Sequence, residues 1–185
     1  MARYVALFGS INVGGNRLSM ADLRAAFAAE GFADVETVVA SGNVIFSHPA
    51  RPTRGLEEKL TLMVDDRFDM QCAALVRDRD ELAAAIADNP FAGTNEDKFV
   101  HTMFLDGQPT QAQFDALAAD KWIKPNERLA LGDRALYIDY GDGVAESKLT
   151  ARLIERRLEH KGTARNMRSI ARIVAKLDEL EMRAA

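Results

Sequence analysis

The first 77 residues read strand, helix, strand, strand, helix, strand, and from residue 98 the order strand, helix, strand, strand, helix begins again. Apolar residues alternate onto both faces of the strands, so each sheet is expected to be covered on both sides. Together these observations predict an α+β protein of two tandem ferredoxin-like (βαββαβ) units packed into one compact body. The units are expected at residues 1–77 and 98–185, joined by a connecting helix and loop at 78–97. Element order alone carries the repeat, since the two halves show no residue-level self-similarity.

The opening strand is expected over 4–11, with Val5, Leu7 and Ile11 on one face and Tyr4, Ala6 and Phe8 on the other. Ser19, with Asp22 three residues later, predicts a helix N-terminus. Met20, Leu23 and Phe27 share one face of that helix, and Gly31 ends it. Strands at 35–40 and 43–47 flank Ser41-Gly42, a hairpin signal. Thr53 is expected to cap a second helix whose apolar stripe is Leu56, Leu60, Met63 and Val64. A strand at 71–77 closes the first unit. Residues 78–90 read as an alanine-rich helix stopped by Asn89-Pro90.

The second unit opens with a strand at 98–105, in which Met103 and Leu105 oppose Val100 and Phe104. Thr110 and Gln113 form a capping box for a helix through Ala118. Strands at 127–131 and 134–140 flank the turn Gly132-Asp133. A helix is expected over 146–160, a short strand at 161–164 and a last helix over about 167–181. Ile170, Ile173, Val174, Leu177 and Leu180 lie on one face of that last helix.

Composition narrows the function. The 185 residues are 48% hydrophobic and 28% charged, with a net charge of −4, which disfavours nucleic-acid binding held by overall charge. One cysteine, Cys72, leaves no intrachain disulfide and no multi-cysteine metal cluster. In an apolar strand it reads as inert. No apolar run approaches the ~20 residues of a bilayer span, and the N-terminus reads as a first strand rather than a signal peptide. A cytoplasmic location is the expectation. His48, His101 and His160 lack metal-ligand spacing, and nothing points to a cofactor or to a particular oligomeric state.

Chemistry is expected at strand-to-helix corners. Asn12, Gly14, Gly15, Asn16 and Arg17 link the first strand to its helix, where free N–H groups and a partial positive charge favour an anion. Gly9 and Gly14 have P-loop spacing, but Gly15 and Asn16 replace the lysine and Ser/Thr, so triphosphate hydrolysis is not expected. The topology places the hairpin Ser41, Gly42, Asn43 at the same sheet edge. In the second unit the same logic places Ser147 and Lys148 at one edge with Arg165 and Asn166. Asn166 has an alternative use as a helix cap.

Residues 148–176 hold nine Lys or Arg and two acids, while the remainder nets −11. Lys148, Arg152 and Arg156 recur at helical spacing, as do Arg168, Arg172 and Lys176. The third strand lacks the aromatic pattern of an RNA-recognition sheet. Trp122 reads either as an exposed loop contact or as a residue packed across a seam.

Several segments resemble a known bacterial family. They are Val5-Ala6-Leu7, Ile11-Asn12-Val13-Gly14-Gly15, Met20, Leu23-Arg24, Gly31-Phe32, Val35, Thr37 and Ser41-Gly42-Asn43-Val44. Further on, Asn89-Pro90-Phe91, Ser147-Lys148-Leu149, Thr163 and Arg165-Asn166 also match. The chain is similar to domain of unknown function 1697 over nearly its whole length. The resemblance implies two ferredoxin-like units and a cytoplasmic protein, and no mechanism. Many members carry Arg-Gly where this chain has Gly9-Ser10, and an extra residue after Gly-Gly, leaving Arg17 as the nearest substitute for that arginine. The leading expectation is a protein that binds, and has the option of turning over, a small anionic metabolite, phosphorylated or carboxylated. The alternative is a nucleic-acid or protein interaction module using the basic C-terminal helices.

Overall fold

The computed structural model of the chain describes residues 1–9, 11, 18–39 and 42–184. The first unit contains β1 (Ala2–Phe8), α1 (Met20–Ala29), β2 (Ala33–Thr37), β3 (Asn43–His48), α2 (Thr53–Phe68) and β4 (Ala74–Asp78). Its antiparallel sheet has the order β2-β3-β1-β4. After α3 (Arg79–Ala87) come β5 (Val100–Leu105), α4 (Gln111–Ala118), β6 (Arg128–Gly132), β7 (Ala135–Asp139), α5 (Ala151–Leu158), β8 (Gly162–Asn166) and α6 (Met167–Ala184). The second antiparallel sheet has the order β6-β7-β5-β8, the first one's connectivity repeated. This is the split βαβ arrangement twice over.

The chain divides into Met1–Leu82 with Arg172–Ala185, and Ala83–Ala171. Residues of α6 from Arg172 onward therefore group with the first unit. Ion pairs of Asp178 with Arg79 (2.8 Å) and Lys176 with Glu36 (3.3 Å) tie them there. The sequence pattern shows only that this helix follows the last strand, which carries no information about its partner. No described helix is long and apolar enough to cross a membrane.

In the first unit Tyr4, Ala6, Phe8, Val44, Phe46 and Val76 pack on Leu23 and Phe27 of α1 and on the stripe Leu56, Leu60, Met63 and Val64 of α2. Each Val, Leu, Met or Phe side chain among these contributes about 1.5–3 kcal/mol when fully buried. The opposite face carries Val5, Leu7, Ile45 and Leu75, all without exposed area. Ile11, expected to side with Val5 and Leu7, joins the Tyr4 cluster instead. The strand ends at Phe8, so alternation does not extend to residue 11. In the second unit Met103, Leu105, Leu136 and Ile138 pack on Leu117 of α4 and on Leu153, Ile154 and Leu158 of α5. Val100 and Tyr137 cluster with Phe91 and Met167 on the other face.

Local chemistry sets the element ends. Ser19 Oγ accepts from Asp22 N, and Thr110 with Gln113 forms the full capping box. The second helix starts one residue earlier than a Thr53 cap would allow, because Pro52 holds the N-cap position and Thr53 is helical. The helix expected over 146–160 is shorter, Ala151–Leu158, and Thr150 Oγ1 caps it at Leu153 N (3.2 Å). Ser147 explains the delay: its Oγ accepts from Leu149 N (3.1 Å) and donates to Glu127, while Leu149 is buried.

The edge strand β4 would present free N–H groups. Thr61 Oγ1 accepts from Ala74 N (3.1 Å), Glu57 Oε1 from Val76 N (3.0 Å) and Glu81 Oε2 from Asp78 N (2.9 Å). Residues 57 and 61 are about 6 Å apart along their helix, close to the two-residue step of a strand. Arg77 donates to Glu57 (2.7 Å) and to Val76 O (2.8 Å). At the matching edge, Glu155 accepts from Gly162 N (3.2 Å) and Arg165 donates to Ala164 O (2.9 Å). The residue after each arginine caps the next helix, Asp78 at Glu81 N and Asn166 at Ser169 N, both at 2.8 Å. The halves thus share a device that their overall sequences conceal.

Candidate functional site

Of the expected site residues, Asn12, Gly14, Gly15, Asn16, Arg17 and Ser41 lie outside the described residues. Gly42 and Asn43 stand at the corner the topology predicts. Gly42 adopts φ +84°, a conformation that favours glycine, and its carbonyl accepts from Phe8 N (2.8 Å) at the end of β1. Asn43 is buried, pairs with Leu7 across the sheet and donates to Val39 O (3.4 Å).

In the second unit β7 and β8 both run antiparallel to β5, so their ends share one edge. Asn166 is used as the α6 cap. Arg165 pairs with Thr102 across the strands and donates to Thr163 Oγ1 (2.8 Å), on the sheet face opposite Met103. Burial pushes its pKa down to about 10. Lys148 belongs to a different environment. Its ammonium lies 4.6 Å from the centroid of the Trp122 ring. Ser147 serves as a loop clasp through Glu127. The structure thus brings Ser147 and Lys148 to one loop, and places Arg165 with Thr102 and Thr163.

Lys148 lines a groove of about 270 Å³ together with Trp122, Thr150, Arg152, Leu153 and Arg156. Trp122 is 43% exposed, and Lys121 also approaches its ring, at 5.1 Å. The loop bearing Trp122 is clamped to α5. Asp120 accepts from Trp122 N (3.0 Å) and from Arg157 through Nε (2.9 Å) and Nη2 (2.7 Å). The Trp122 N–H first, then the Arg157 guanidinium, hold the Asp120 carboxyl below its ordinary range, with a smaller pull from Arg156. Glu127 joins the two rims, accepting from Lys124 N (2.9 Å) and from Ser147 Oγ (2.5 Å). Arg152 and Arg156 are exposed, one helical turn apart, and neither is bonded to a carboxylate among the described residues.

The groove therefore offers cations, one hydroxyl and an indole, with no carboxylate in its lining. Such a surface attracts anions. A larger cavity of about 860 Å³ in the first unit is rich in acids, and its Arg79 is already held by Asp178. Cys72 is buried, which together with Asp65 pushes its thiol up to about 11. Among the described residues no three His, Cys, Asp or Glu converge as a metal site would require.

Trp122, Arg152 and Arg156 were not among the expected site residues. Helical spacing marks the arginines as a basic row, which enters only the alternative interaction-module reading, and no local signal joins a tryptophan in one loop to a helix some 30 residues later.

The family model described as protein of unknown function (DUF1697) matches residues 1–137. The chain belongs to this family. The DUF1697 match includes Trp122 and ends before Lys148 and α5, so the groove straddles its limit. A structure of a conserved bacterial protein from Streptococcus pneumoniae is similar over 96% of this chain and 99% of its own, with a TM-score of 0.72 and 22% identity, a likeness of fold. No relative is found among the curated proteins.

Proposed function

We propose that this DUF1697 protein binds a small anionic metabolite, with Lys148 as anchor of the site. The supporting observation is the groove beside α5, where Lys148, Arg152 and Arg156 gather around an exposed indole with no carboxylate in the lining. A phosphate or carboxylate there forms charge-assisted hydrogen bonds. The corner containing Asn12, Gly14, Gly15, Asn16, Arg17, Ser41, Gly42 and Asn43 is a further anion contact in this reading. A reducing cytoplasm suits the single buried thiol.

A thermal-shift screen with nucleotides, sugar phosphates and carboxylates tests the proposal. A few anionic compounds should raise the melting temperature. Lys148→Ala with Arg152→Ala should remove the gain from the groove, and Arg17→Ala any gain from the glycine corner. A flat response across the panel overturns it. The second reading, a nucleic-acid interaction module, is favoured by the exposed Arg152 and Arg156 row. It predicts salt-sensitive RNA or DNA binding, lost when Arg152, Arg156 and Arg172 are neutralised.

A further inference from the structure

We infer that the anion held in the α5 groove is the phosphate of a nucleotide whose base stacks on Trp122. This rests on the anion-binding reading above and specifies its ligand. Cations alone would suit any phosphate, but an exposed indole beside them contributes nothing to inorganic phosphate and less to a small sugar than to a flat aromatic ring. A base has a π face to lay on the ring, and stacking of this kind tolerates any base.

The arrangement is held in place before a ligand arrives. The Asp120–Arg157 clamp fixes the Trp122 backbone against α5, so the 43% exposure of the ring is a property of the folded loop. Arg152 and Arg156 project from successive turns, about 6 Å apart along the axis, within reach of one phosphate or two neighbouring ones. Lys148 covers the indole in the free protein. A base arriving on that face displaces the ammonium, which exchanges a cation–π contact for a charge-assisted bond to the phosphate. At about 270 Å³ the groove lies just below the usual range of ligand sites, which favours a small ligand such as a mononucleotide. That chemistry is shared by a free nucleotide and by one unit of a single strand.

Trp122 is the only tryptophan in the chain, so its fluorescence reports on the groove directly. AMP and UMP should quench it on titration, whereas ribose 5-phosphate and inorganic phosphate should bind roughly tenfold or more weakly. By calorimetry, Trp122→Leu, with folding checked by circular dichroism, should bind AMP no better than ribose 5-phosphate. Lys148→Ala, which leaves the indole in place, should weaken AMP and ribose 5-phosphate alike. A short oligouridylate that binds more tightly than UMP, with a steep salt dependence, identifies a strand as the source. Equal affinities identify the free nucleotide. Equal binding of AMP and ribose 5-phosphate, unaffected by Trp122→Leu, overturns the inference and leaves anion binding standing. Absence of binding by every compound overturns both.

Discussion

Glu57 and Arg77 are charged, buried and bonded to each other at 2.7 Å, with 9% and 3% of their side chains exposed. Glu57→Ala would remove the buried carboxylate that Arg77 donates to and take this acceptor from Val76 N, so a loss of about 3–5 kcal/mol is expected by urea denaturation. Replacing both partners, Glu57→Leu with Arg77→Met, should recover much of that loss, because no buried charge is then left alone. Asp139 gives a pH signature. Burial alone would raise its pKa, but bonds from Arg128, Asn95 and Gly141 N outweigh burial and lower it. Its stabilisation is therefore fully present above the unfolded value of about 3.9 and is lost as pH falls through the lower folded value. Asp139→Asn should be less stable than wild type at neutral pH, with a shallower loss of stability on acid titration.

Among the elements, the caps and turns were the most legible, since they depend on residues within one turn of each other. The Ser19 cap and the Thr110 and Gln113 box stand where the residues predict, and the expected strands do pair as a hairpin, although the earlier strand ends at Thr37 rather than at residue 40. The start of α5 was not legible: Ser147 is held by Glu127, 20 positions earlier, and no helical pattern reveals that bond. Asn166→Ala should remove the α6 cap and lower stability by about 1 kcal/mol, measured by thermal unfolding. Gly162→Ala should be worse, by about 1–3 kcal/mol. A Cβ there would sit 2.5 Å from Phe104 O, where two backbones meet and neither can move aside.

On the scale of the whole molecule, the end of the chain returns to its beginning. Deleting residues 172–184 removes the buried Ile173, Leu177 and Leu180 and the ion pairs to Arg79 and Glu36. Hydrogen exchange should then rise more in β1–β4 than in β5–β8. Equal loss of protection in both sheets would contradict the grouping of α6 with the first unit. Charge is distributed on the same scale: the chain nets −4, yet residues 148–176 net +7. By itself the amino-acid sequence determined the order of elements, their caps and hairpins, and the existence of a basic row, because these follow from periodicity and neighbouring residues. Only the tertiary structure decided which charges are spent. Arg157 reaches Asp120, 37 positions away, while Arg152 and Arg156 on the same helix line a groove with an indole and bond no carboxylate among the described residues. Coulomb attraction and hydrogen bonding act over a few ångströms, and only folding sets distances between residues so far apart in the chain.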